Sequence, residues 1–241
     1  DNKVRNANTC LSDYHFVCTD KSRKRLIKMG ELNDRIFNLG CPSIDLAKKS
    51  LEIKFNKSKF LKYTGVGSKI KYENFIVVLY HPVTNEINET RKNIRILFEV
   101  IDDLNMETIW LWPNHDLGTD LVSKEIRSKR ENSKLNNNIF YVKHFDSIDF
   151  LVLLRKAKMI IGNSSVGIRE CSFIGTPAVN IGSRQNNRER GRNVIDCSPN
   201  KSEIQKAVKK QLQNGRYKND YLYGDGESGS KIANQIIKFK G

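Results

Sequence analysis

The chain has 241 residues, of which 38% are hydrophobic and 29% are charged, a balance that indicates a folded globular protein and excludes an intrinsically disordered one. It contains no run of about 18 apolar residues, so no transmembrane helix is expected. The formal net charge of +15 raises the hypothesis of nucleic-acid binding, but no RNA- or DNA-binding motif accompanies the charge.

The first 50 residues alternate helical and strand patterns, beginning inside a helical one. The elements predicted after that helix are a strand, a charged helix and a short strand, at Tyr14–Thr19, Lys21–Met29 and Ile36–Leu39. Gly40 and Pro42 end the last strand. The family resemblance described below implies that residues 1–50 form the tail of an N-terminal Rossmann-like domain.

Residues 51–73 are predicted to be a linker between two domains. Eight lysines and one acidic residue, Glu52, lie between Lys48 and Lys71, a composition that is typical of a solvated, mobile segment. Gly65 and Gly67 add backbone freedom.

A regular alternation of strands and helices starts at Phe75. The predicted strands are Phe75–Tyr80, Thr108–Trp112, Ile139–Lys143, Met159–Gly162, Pro177–Ile181 and Asn193–Cys197. The predicted helices are Glu86–Leu104, Asp116–Arg130, Ile148–Ala157, Gly167–Ile174, Ser202–Asn214 and Ser230–Lys240. This pattern predicts an α/β fold for residues 74–241, a Rossmann-like parallel sheet with helices on both faces.

Polar side chains follow four of the predicted strands. They are His81, Asn114, Ser164 with Ser165, and Arg184. Because ligand sites of parallel α/β sheets lie in loops beyond the carboxyl ends of the strands, we expect these residues to form one site. His81 could also be a half-buried histidine at the strand end, and Asn114 could be a turn former or a helix cap.

The segment 158–197 predicts an anion site, because a strand leads through a small polar loop into a helix start. Ser164 and Ser165 supply hydroxyls, Glu170 follows one turn into the helix, and Arg184 is the loop arginine nearest the next strand. A nucleoside diphosphate fits this set, with guanidinium on phosphate and carboxylate on the ribose hydroxyls. The serines could instead be helix caps, and Glu170 a carboxylate that stabilises the helix N-terminus.

The neighbouring arginines are weaker candidates for phosphate contacts than Arg184. Arg188, Arg190 and Arg192 are more often solvated than ligand-bound at such positions. Arg169 is expected to face solvent, since adjacent helix residues point in different directions.

Seven blocks of the sequence, in order along the chain, resemble the hydrolysing UDP-N-acetylglucosamine 2-epimerases of sialic acid biosynthesis. They read VRNANTCLSDYHFVCT, NLGCPSID, HPVT, PNHD, GNSSVGIRE, GTPAVNIGSRQNNR and YGDG. The resemblance implies a two-domain fold of the glycosyltransferase-B type, of which this chain would form the tail of the first domain and all of the second. It also implies that His144 and Phe145 contact the uracil, for which a core aromatic is an equally good account of Phe145.

The family reaction moves a proton at C2 of the sugar, eliminates UDP to a glycal, and adds water to give N-acetylmannosamine. The resemblance assigns the acid and base carboxylates to a preceding portion of the fold, so we expect the chain to be a fragment without activity of its own. One local departure concerns the arginine-rich loop, where Asn187 stands at a position that is usually glycine. Asparagine tolerates left-handed backbone angles better than most residues.

We expect no cofactor and no structural metal, since the four histidines have no metal-ligand spacing. Five widely spaced cysteines without a CxxC pair indicate free thiols in a cytoplasmic protein. The expected partner is a UDP-sugar, the assembly a homo-oligomer, and no membrane is expected.

Several alternatives to this function stay open at the level of sequence. The substrate could be UDP-N,N'-diacetylbacillosamine in legionaminic acid synthesis, or the reaction could be that of a non-hydrolysing epimerase. A UDP-sugar glycosyltransferase of the same architecture is a second enzyme class. A basic nucleic-acid-binding protein is the alternative without enzymatic activity.

Overall fold

The computed structural model describes residues 2–83, 86–113, 118–132 and 138–239. The strands within these ranges are His15–Val17 (β1), Ile36–Asn38 (β2), Gly65–Gly67 (β3), Phe75–Leu79 (β4), Glu107–Leu111 (β5), Ile139–Val142 (β6), Ile160–Gly162 (β7), Ala178–Ile181 (β8) and Val194–Cys197 (β9). The α-helices are Asn2–Cys10 (α1), Asp20–Lys28 (α2), Pro42–Glu52 (α3), Lys57–Phe60 (α4), Ile87–Leu104 (α5), Thr119–Asn132 (α6), Ser147–Lys156 (α7), Glu170–Ile174 (α8), Lys201–Asn214 (α9) and Ser228–Lys238 (α10).

Among the described strands, seven form the main sheet in the order β3-β6-β5-β4-β7-β8-β9, while β1 and β2 pair in a separate, small parallel sheet. The pairs from β6 to β9 are parallel, and β3 joins β6 antiparallel at the edge. The chain runs outward from β4 to β6, returns to the centre at β7, and runs outward again to β9. This is a doubly wound sheet, and the predicted α/β class is confirmed.

Strand β4 lies at the centre of the main sheet and is buried on both faces. Phe75, Val77 and Leu79 belong to one hydrophobic cluster, and Ile76 and Val78 belong to the other. Because side chains alternate along a strand, a continuous apolar run supplies both layers of the core. Helices α3, α7 and α8 cover the first face, and α5, α6 and α9 cover the second.

The segment 51–73, which the sequence analysis treats as a linker, contributes structure to the main sheet. It contains α4 and the edge strand β3, and Phe60 and Tyr72 are buried. The ring of Phe60 stacks on Phe55 at 4.7 Å and lies 5.8 Å from Tyr72. The aromatic residues between the lysines therefore build a local core, although the overall composition is that of a solvated segment. The predicted division into two domains stays a prediction.

Helix α3 has no counterpart among the predicted elements, because Pro42 was interpreted only as the end of a strand. Proline is well suited to the first turn of a helix, where its missing N–H is not needed. Ile44 and Ala47 are fully buried on the face that packs towards α7 and α8. The helix therefore belongs to the layer that covers the main sheet.

Two of the sequence blocks, residues 38–45 and 223–226, pack against each other. The Cys41 backbone N–H donates to the Tyr223 carbonyl oxygen at 2.8 Å. The Asp45 carboxylate accepts the first two backbone N–H groups of α10, at 2.9 and 2.7 Å. These contacts satisfy donors that a helix N-terminus leaves unpaired, and they tie α10 to the start of α3.

Candidate functional site

The centre of the main sheet, between β4 and β7, is the point where the strand order reverses. In doubly wound folds the loops that leave the carboxyl ends of two such strands diverge, and the crevice between those loops binds ligands. His81 follows β4, and residues 163–165 follow β7. Two of the predicted polar loops therefore meet here, as the sequence analysis expects.

Asn163 joins these loops through its side chain, which is fully buried. Its Oδ1 accepts the His81 backbone N–H at 2.7 Å, and its Nδ2 donates to the His81 carbonyl oxygen at 2.8 Å. The Asn163 carbonyl oxygen accepts from Gln185 Nε2 at 2.8 Å and from Arg184 Nη1 at 3.4 Å. One residue thus connects the ends of β4 and β7 to the arginine-rich loop after β8.

Gly162 makes this close approach possible. Its φ is +146°, and a Cβ at this position would lie 2.0 Å from the Leu79 carbonyl oxygen. Any side chain would therefore push β7 away from β4. The glycine places Asn163 within hydrogen-bond reach of His81, whose side chain is buried.

Ser164 and Ser165 lie half-buried at the start of a 3₁₀ turn, Ser165–Gly167. The Ser164 hydroxyl caps this turn by accepting the Val166 backbone N–H at 3.4 Å, so part of its role is structural. The Ser165 hydroxyl accepts from Arg169 Nη2 at 3.3 Å. Both hydroxyls remain at the β7 end of the crevice.

Glu170 is the first residue of α8, not one turn into a helix as the sequence analysis has it, because the 3₁₀ turn precedes a short α-helix. The side chain is buried, and its Oε1 lies 3.5 Å from Arg169 Nη2. Its Oε2 accepts no well-aligned hydrogen bond from the described residues. Burial raises the pKa of Glu170, whereas the Arg169 charge and the nearby Ser43 hydroxyl lower that pKa.

The expectation that Arg169 faces solvent is wrong. Its side chain is only 29% exposed, and its guanidinium contacts Ser165, Glu170 and Cys41. The physical reason is that Arg169 stands between the 3₁₀ turn and α8, where the spacing rules of a regular helix do not hold. Arg169 and Asn163 contact the predicted site residues, and neither was selected from the sequence. For Asn163, its position between a buried strand and the serine pair was the available signal.

The arginines after β8 differ in their surroundings. Arg184 is half-buried and lies over the Asn163 carbonyl, as described above. Arg190 binds both oxygens of Asp196 through Nε, at 3.0 and 2.9 Å, and therefore holds the loop onto β9. Arg192 is exposed. Burial is the main cause that lowers the pKa of Arg188, and the charges of neighbouring arginines act in the same direction.

Asn187 adopts the left-handed backbone conformation that the sequence analysis anticipates, with φ of +67°. We expect Asn187→Gly to change the free energy of unfolding by less than about 1 kcal/mol, because glycine fits this φ but loses more entropy on folding. Asn187→Val should destabilise the fold by roughly 1–2 kcal/mol, since a β-branched residue is strained at positive φ. Urea unfolding of both variants measures the difference, and equal values for the two would contradict it.

His144 and Phe145 follow β6, away from the cluster around Asn163. The Phe145 ring is buried and meets Tyr63 edge-on at 4.6 Å, so the structure places it in the aromatic core. His144 is exposed and lines a separate surface cavity of about 540 Å³ together with Trp112 and Arg130. Asn114 lies outside the described residues.

A larger cavity, of about 740 Å³, opens beside Arg169. Four positive side chains of α2, among them Lys21 and Lys28, line this cavity together with Arg5, Arg169 and Arg188. This local concentration of positive charge attracts anions.

Two further features concern ions and membranes. In the part of the chain that the structure describes, no helix combines the length and the apolar character needed to cross a membrane. Nor do the described residues bring together three or more His, Cys, Asp or Glu side chains that could hold a metal ion.

Comparison with known proteins agrees with this geometry. The profile of the UDP-N-acetylglucosamine 2-epimerase family matches residues 1–237. The UDP-N,N'-diacetylbacillosamine 2-epimerase (hydrolyzing) of Legionella pneumophila is 32% identical over 99% of this chain and 60% of its own length. The UDP-N-acetylglucosamine 2-epimerase of Neisseria meningitidis serogroup B is 30% identical over 95% of this chain and 58% of its own. The chain thus spans about 60% of the length of these relatives.

Solved structures of related proteins share the fold. The Neisseria meningitidis UDP-GlcNAc 2-epimerase bound to UDP-GlcNAc superposes with a TM-score of 0.73, at 16% identity, over 95% of this chain and 62% of that one. The Methanocaldococcus jannaschii enzyme in complex with UDP-GlcNAc and UDP gives a TM-score of 0.72, at 20% identity, over 94% of this chain and 61% of that one. On the evidence of the family profile and of the doubly wound fold, the chain belongs to the UDP-N-acetylglucosamine 2-epimerase family.

Proposed function

We propose that this chain forms the UDP-binding part of a hydrolysing UDP-N-acetylglucosamine 2-epimerase, which releases N-acetylmannosamine and UDP. The observation that carries the proposal is the convergence of His81, the serine pair, Glu170 and Arg184 around the crevice between β4 and β7. Relatives that were solved with UDP or UDP-GlcNAc bound have the same fold. The site residues themselves are part of the proposal.

The diphosphate is assigned to the end of the crevice at Asn163. Arg184 brings a guanidinium to the β7 end, and Ser164 and Ser165 bring hydroxyls. His81 is held by its backbone on the opposite side. A guanidinium can pair two phosphate oxygens at once, and hydroxyls can donate to the others.

The ribose is assigned to Glu170. A buried carboxylate is costly unless its oxygens are hydrogen-bonded, and Oε2 has no well-aligned donor among the described residues. Two vicinal hydroxyls of a ribose would supply donors to such a carboxylate. Burial is the main cause that raises the pKa of Glu170, and perturbed carboxylates of this kind cluster at functional sites.

The base is assigned to the loop after β6, which carries His144. Strand β6 lies two strands from β4 in the main sheet, roughly 10 Å away at the usual strand spacing. A nucleoside diphosphate is long enough to bridge this distance. Since the Phe145 ring is in the core, the proposal has His144 and the backbone of the loop, not stacking on Phe145, recognise the uracil.

In this proposal the chain acts mainly on the leaving group. Negative charge develops on UDP as the bond between the sugar and the phosphate breaks. Arg184 and the serine hydroxyls stabilise that charge, and fixed donors of this kind need no rearrangement during the reaction. General acid and base groups must also reach C2 of the sugar, and we assign none of the described residues to those roles.

A second candidate substrate is UDP-N,N'-diacetylbacillosamine. Two relatives at 32% identity, from Legionella pneumophila and Campylobacter jejuni, carry names that include this sugar, whereas the Neisseria relative at 30% identity is named for UDP-N-acetylglucosamine. The UDP contacts proposed above are the same for both substrates.

Titration calorimetry with UDP tests the binding proposal on this chain directly. We expect saturable UDP binding that is weakened in His81→Ala, because the proposal has the imidazole contact the diphosphate, while alanine keeps the backbone hydrogen bonds to Asn163. A Kd for UDP weaker than about 1 mM would contradict the proposal.

Product analysis by NMR tests the reaction. With UDP-N-acetylglucosamine, a protein in which this chain is joined to the first domain that the family fold implies should give N-acetylmannosamine and free UDP. Faster consumption of UDP-N,N'-diacetylbacillosamine would select the second candidate. If the product were UDP-N-acetylmannosamine, or if the sugar were transferred to an acceptor, the proposed hydrolysing reaction would be contradicted.

A further inference from the structure

Two cysteine thiols meet where the small sheet joins α3. Cys18 directly follows β1, and Cys41 is the residue before α3. The parallel pairing of β1 with β2, in which Val17 faces Asn38, brings the carboxyl ends of both strands together. Cys18 packs against the hydrophobic cluster that contains Cys41, and each thiol acts on the pKa of the other.

The surroundings of the Cys41 sulfur favour its thiolate. The Ser43 hydroxyl lies 3.1 Å from Sγ, and Arg169 Nη1 donates to Sγ at 3.6 Å. Cys41 also occupies the N-cap position of α3, an 11-residue helix, where the helix dipole stabilises an anion. Interaction with the Cys18 thiol is the main cause that lowers the pKa of Cys41 to about 5; the hydrogen bonds from Ser43 and the Arg169 charge act in the same direction, against the effect of burial.

Cys18 has the complementary character. The neighbouring Cys41 thiol and burial raise the pKa of the Cys18 thiol well above the usual range, so this thiol keeps its proton. Cys18 is part-buried and lines the cavity of about 740 Å³, whereas Cys41 is buried, so a small solute approaches the pair from the Cys18 side. A thiolate beside a protonated thiol is the arrangement found where one cysteine attacks and another resolves.

We propose that Cys18 and Cys41 form an oxidisable dithiol, a modification site for hydroperoxides such as hydrogen peroxide. The Cys41 thiolate attacks one peroxide oxygen, which breaks the O–O bond, releases hydroxide and leaves a sulfenic acid on Cys41. Cys18 then attacks that sulfur, so that a disulfide and one water form, the water taking up the thiol proton and the sulfenic hydroxyl. The dithiol loses two electrons, and one peroxide is reduced.

Two of the three other cysteines, Cys171 and Cys197, provide an internal contrast. Cys171 is fully buried, and burial raises the pKa of its thiol. Burial, together with the charges of Glu203 and Asp196, raises the pKa of Cys197 to about 12. Neither has the donors that surround Cys41, so oxidation should select Cys41 over these two. Cys10 is exposed, so any product at Cys10 is counted separately in the peptide map.

The dithiol is linked to the proposed UDP site through Arg169, and this part of the inference rests on the proposed function. The guanidinium that donates to Cys41 also contacts Ser165 and Glu170. Disulfide formation removes the thiolate and leaves the Arg169 charge to pair more closely with Glu170. That pairing competes with ribose hydroxyls, so the oxidised chain should bind UDP about tenfold more weakly, the effect of one charge-assisted contact.

Peptide mapping after treatment with hydrogen peroxide tests the dithiol. The chain should lose about 2 Da, one linked pair of peptides should contain Cys18 and Cys41, and dithiothreitol should reverse the change. Cys18→Ser should instead accumulate a sulfenic acid on Cys41 that dimedone traps, Cys41→Ser should give neither product, and Cys197→Ser should behave as the unaltered chain. Linkage of other cysteines, or Cys41 reacting no faster than Cys197, would overturn the proposal.

Calorimetry with UDP on the reduced and oxidised chain separates the two proposals. If the disulfide forms but neither form of the chain binds UDP, the dithiol proposal is supported and the proposed function is contradicted. Equal UDP affinity in both forms would overturn the link through Arg169. Circular dichroism of each serine variant verifies that it is folded.

Discussion

Replacing Arg184 by alanine is expected to weaken UDP binding by about 10- to 150-fold, because a charge-assisted contact to phosphate contributes roughly 1.5–3 kcal/mol. Uridine, which has no phosphate, should lose far less affinity. The side chain lies over the Asn163 carbonyl, at the point where the proposal puts the diphosphate. Titration calorimetry of both ligands at one salt concentration measures the difference.

Arg192→Ala is the matched control for this experiment. It removes the same charge from the same loop, but the Arg192 side chain is exposed. UDP affinity should change by less than about twofold, since a solvated charge at a distance is screened by salt. If Arg184→Ala weakened the binding of UDP and of uridine equally, Arg184 would not contact the phosphates.

The main sheet could be predicted from sequence because its strands are short apolar runs with helices between them. Runs such as Phe75–Tyr80 have to be buried on both faces, and only a covered parallel sheet buries them in this order. The observed β4, Phe75–Leu79, ends one residue earlier than the prediction. The loops at the strand ends followed from the same reasoning, and His81 and the serine pair do follow β4 and β7, as predicted.

The elements that were missed depend on contacts between distant parts of the chain. Helix α3 and strand β3 are stabilised by partners that no local pattern reveals, such as the pairing of Val66 with Tyr141. The average composition of residues 51–73 is dominated by lysines, so it does not reveal that the aromatic residues between them are buried. One of these lysines, Lys59, pairs with the buried Asp149 at 2.6 Å, so it is not simply solvated.

Only part of the candidate site could be predicted, because the rest of it also depends on contacts between distant parts of the chain. The sequence shows which residues follow a strand and are therefore candidates for the site. The orientation of Arg169, in contrast, depends on where the 3₁₀ turn ends and α8 begins. The role of Asn163 depends on the approach of β7 to β4 at Gly162. Both are properties of the assembled sheet.

Glu170→Gln should abolish most of the preference for UDP over its 2′-deoxy form. A carboxylate accepts hydrogen bonds from two vicinal hydroxyls, whereas the amide has only one acceptor oxygen. Loss of one such charge-assisted bond corresponds to roughly tenfold in affinity for UDP and to little change for deoxy-UDP. The comparison by calorimetry therefore reports on the ribose contact alone.

The stability of the Glu170→Gln variant distinguishes this role from a structural one. The pKa of Glu170 is raised in the folded chain, chiefly by burial, so the folded state binds more protons than the unfolded state above the ordinary pKa of 4.5. Stability is therefore lost as the pH rises from that value through the folded pKa. At neutral pH the glutamine variant, which cannot ionise, should have an equal or higher melting temperature.

Glu203→Gln is the control with the opposite sign. The Ser198 backbone N–H donates to its carboxylate at 3.0 Å, and this hydrogen bond is the main cause that lowers the pKa of Glu203. Its contribution to stability is present above pH 4.5 and is lost as the pH falls through the lowered pKa, so the variant should melt lower at neutral pH and bind UDP normally. If Glu170→Gln also melted lower and kept its preference for UDP over deoxy-UDP, Glu170 would stabilise α8 and would not bind ribose.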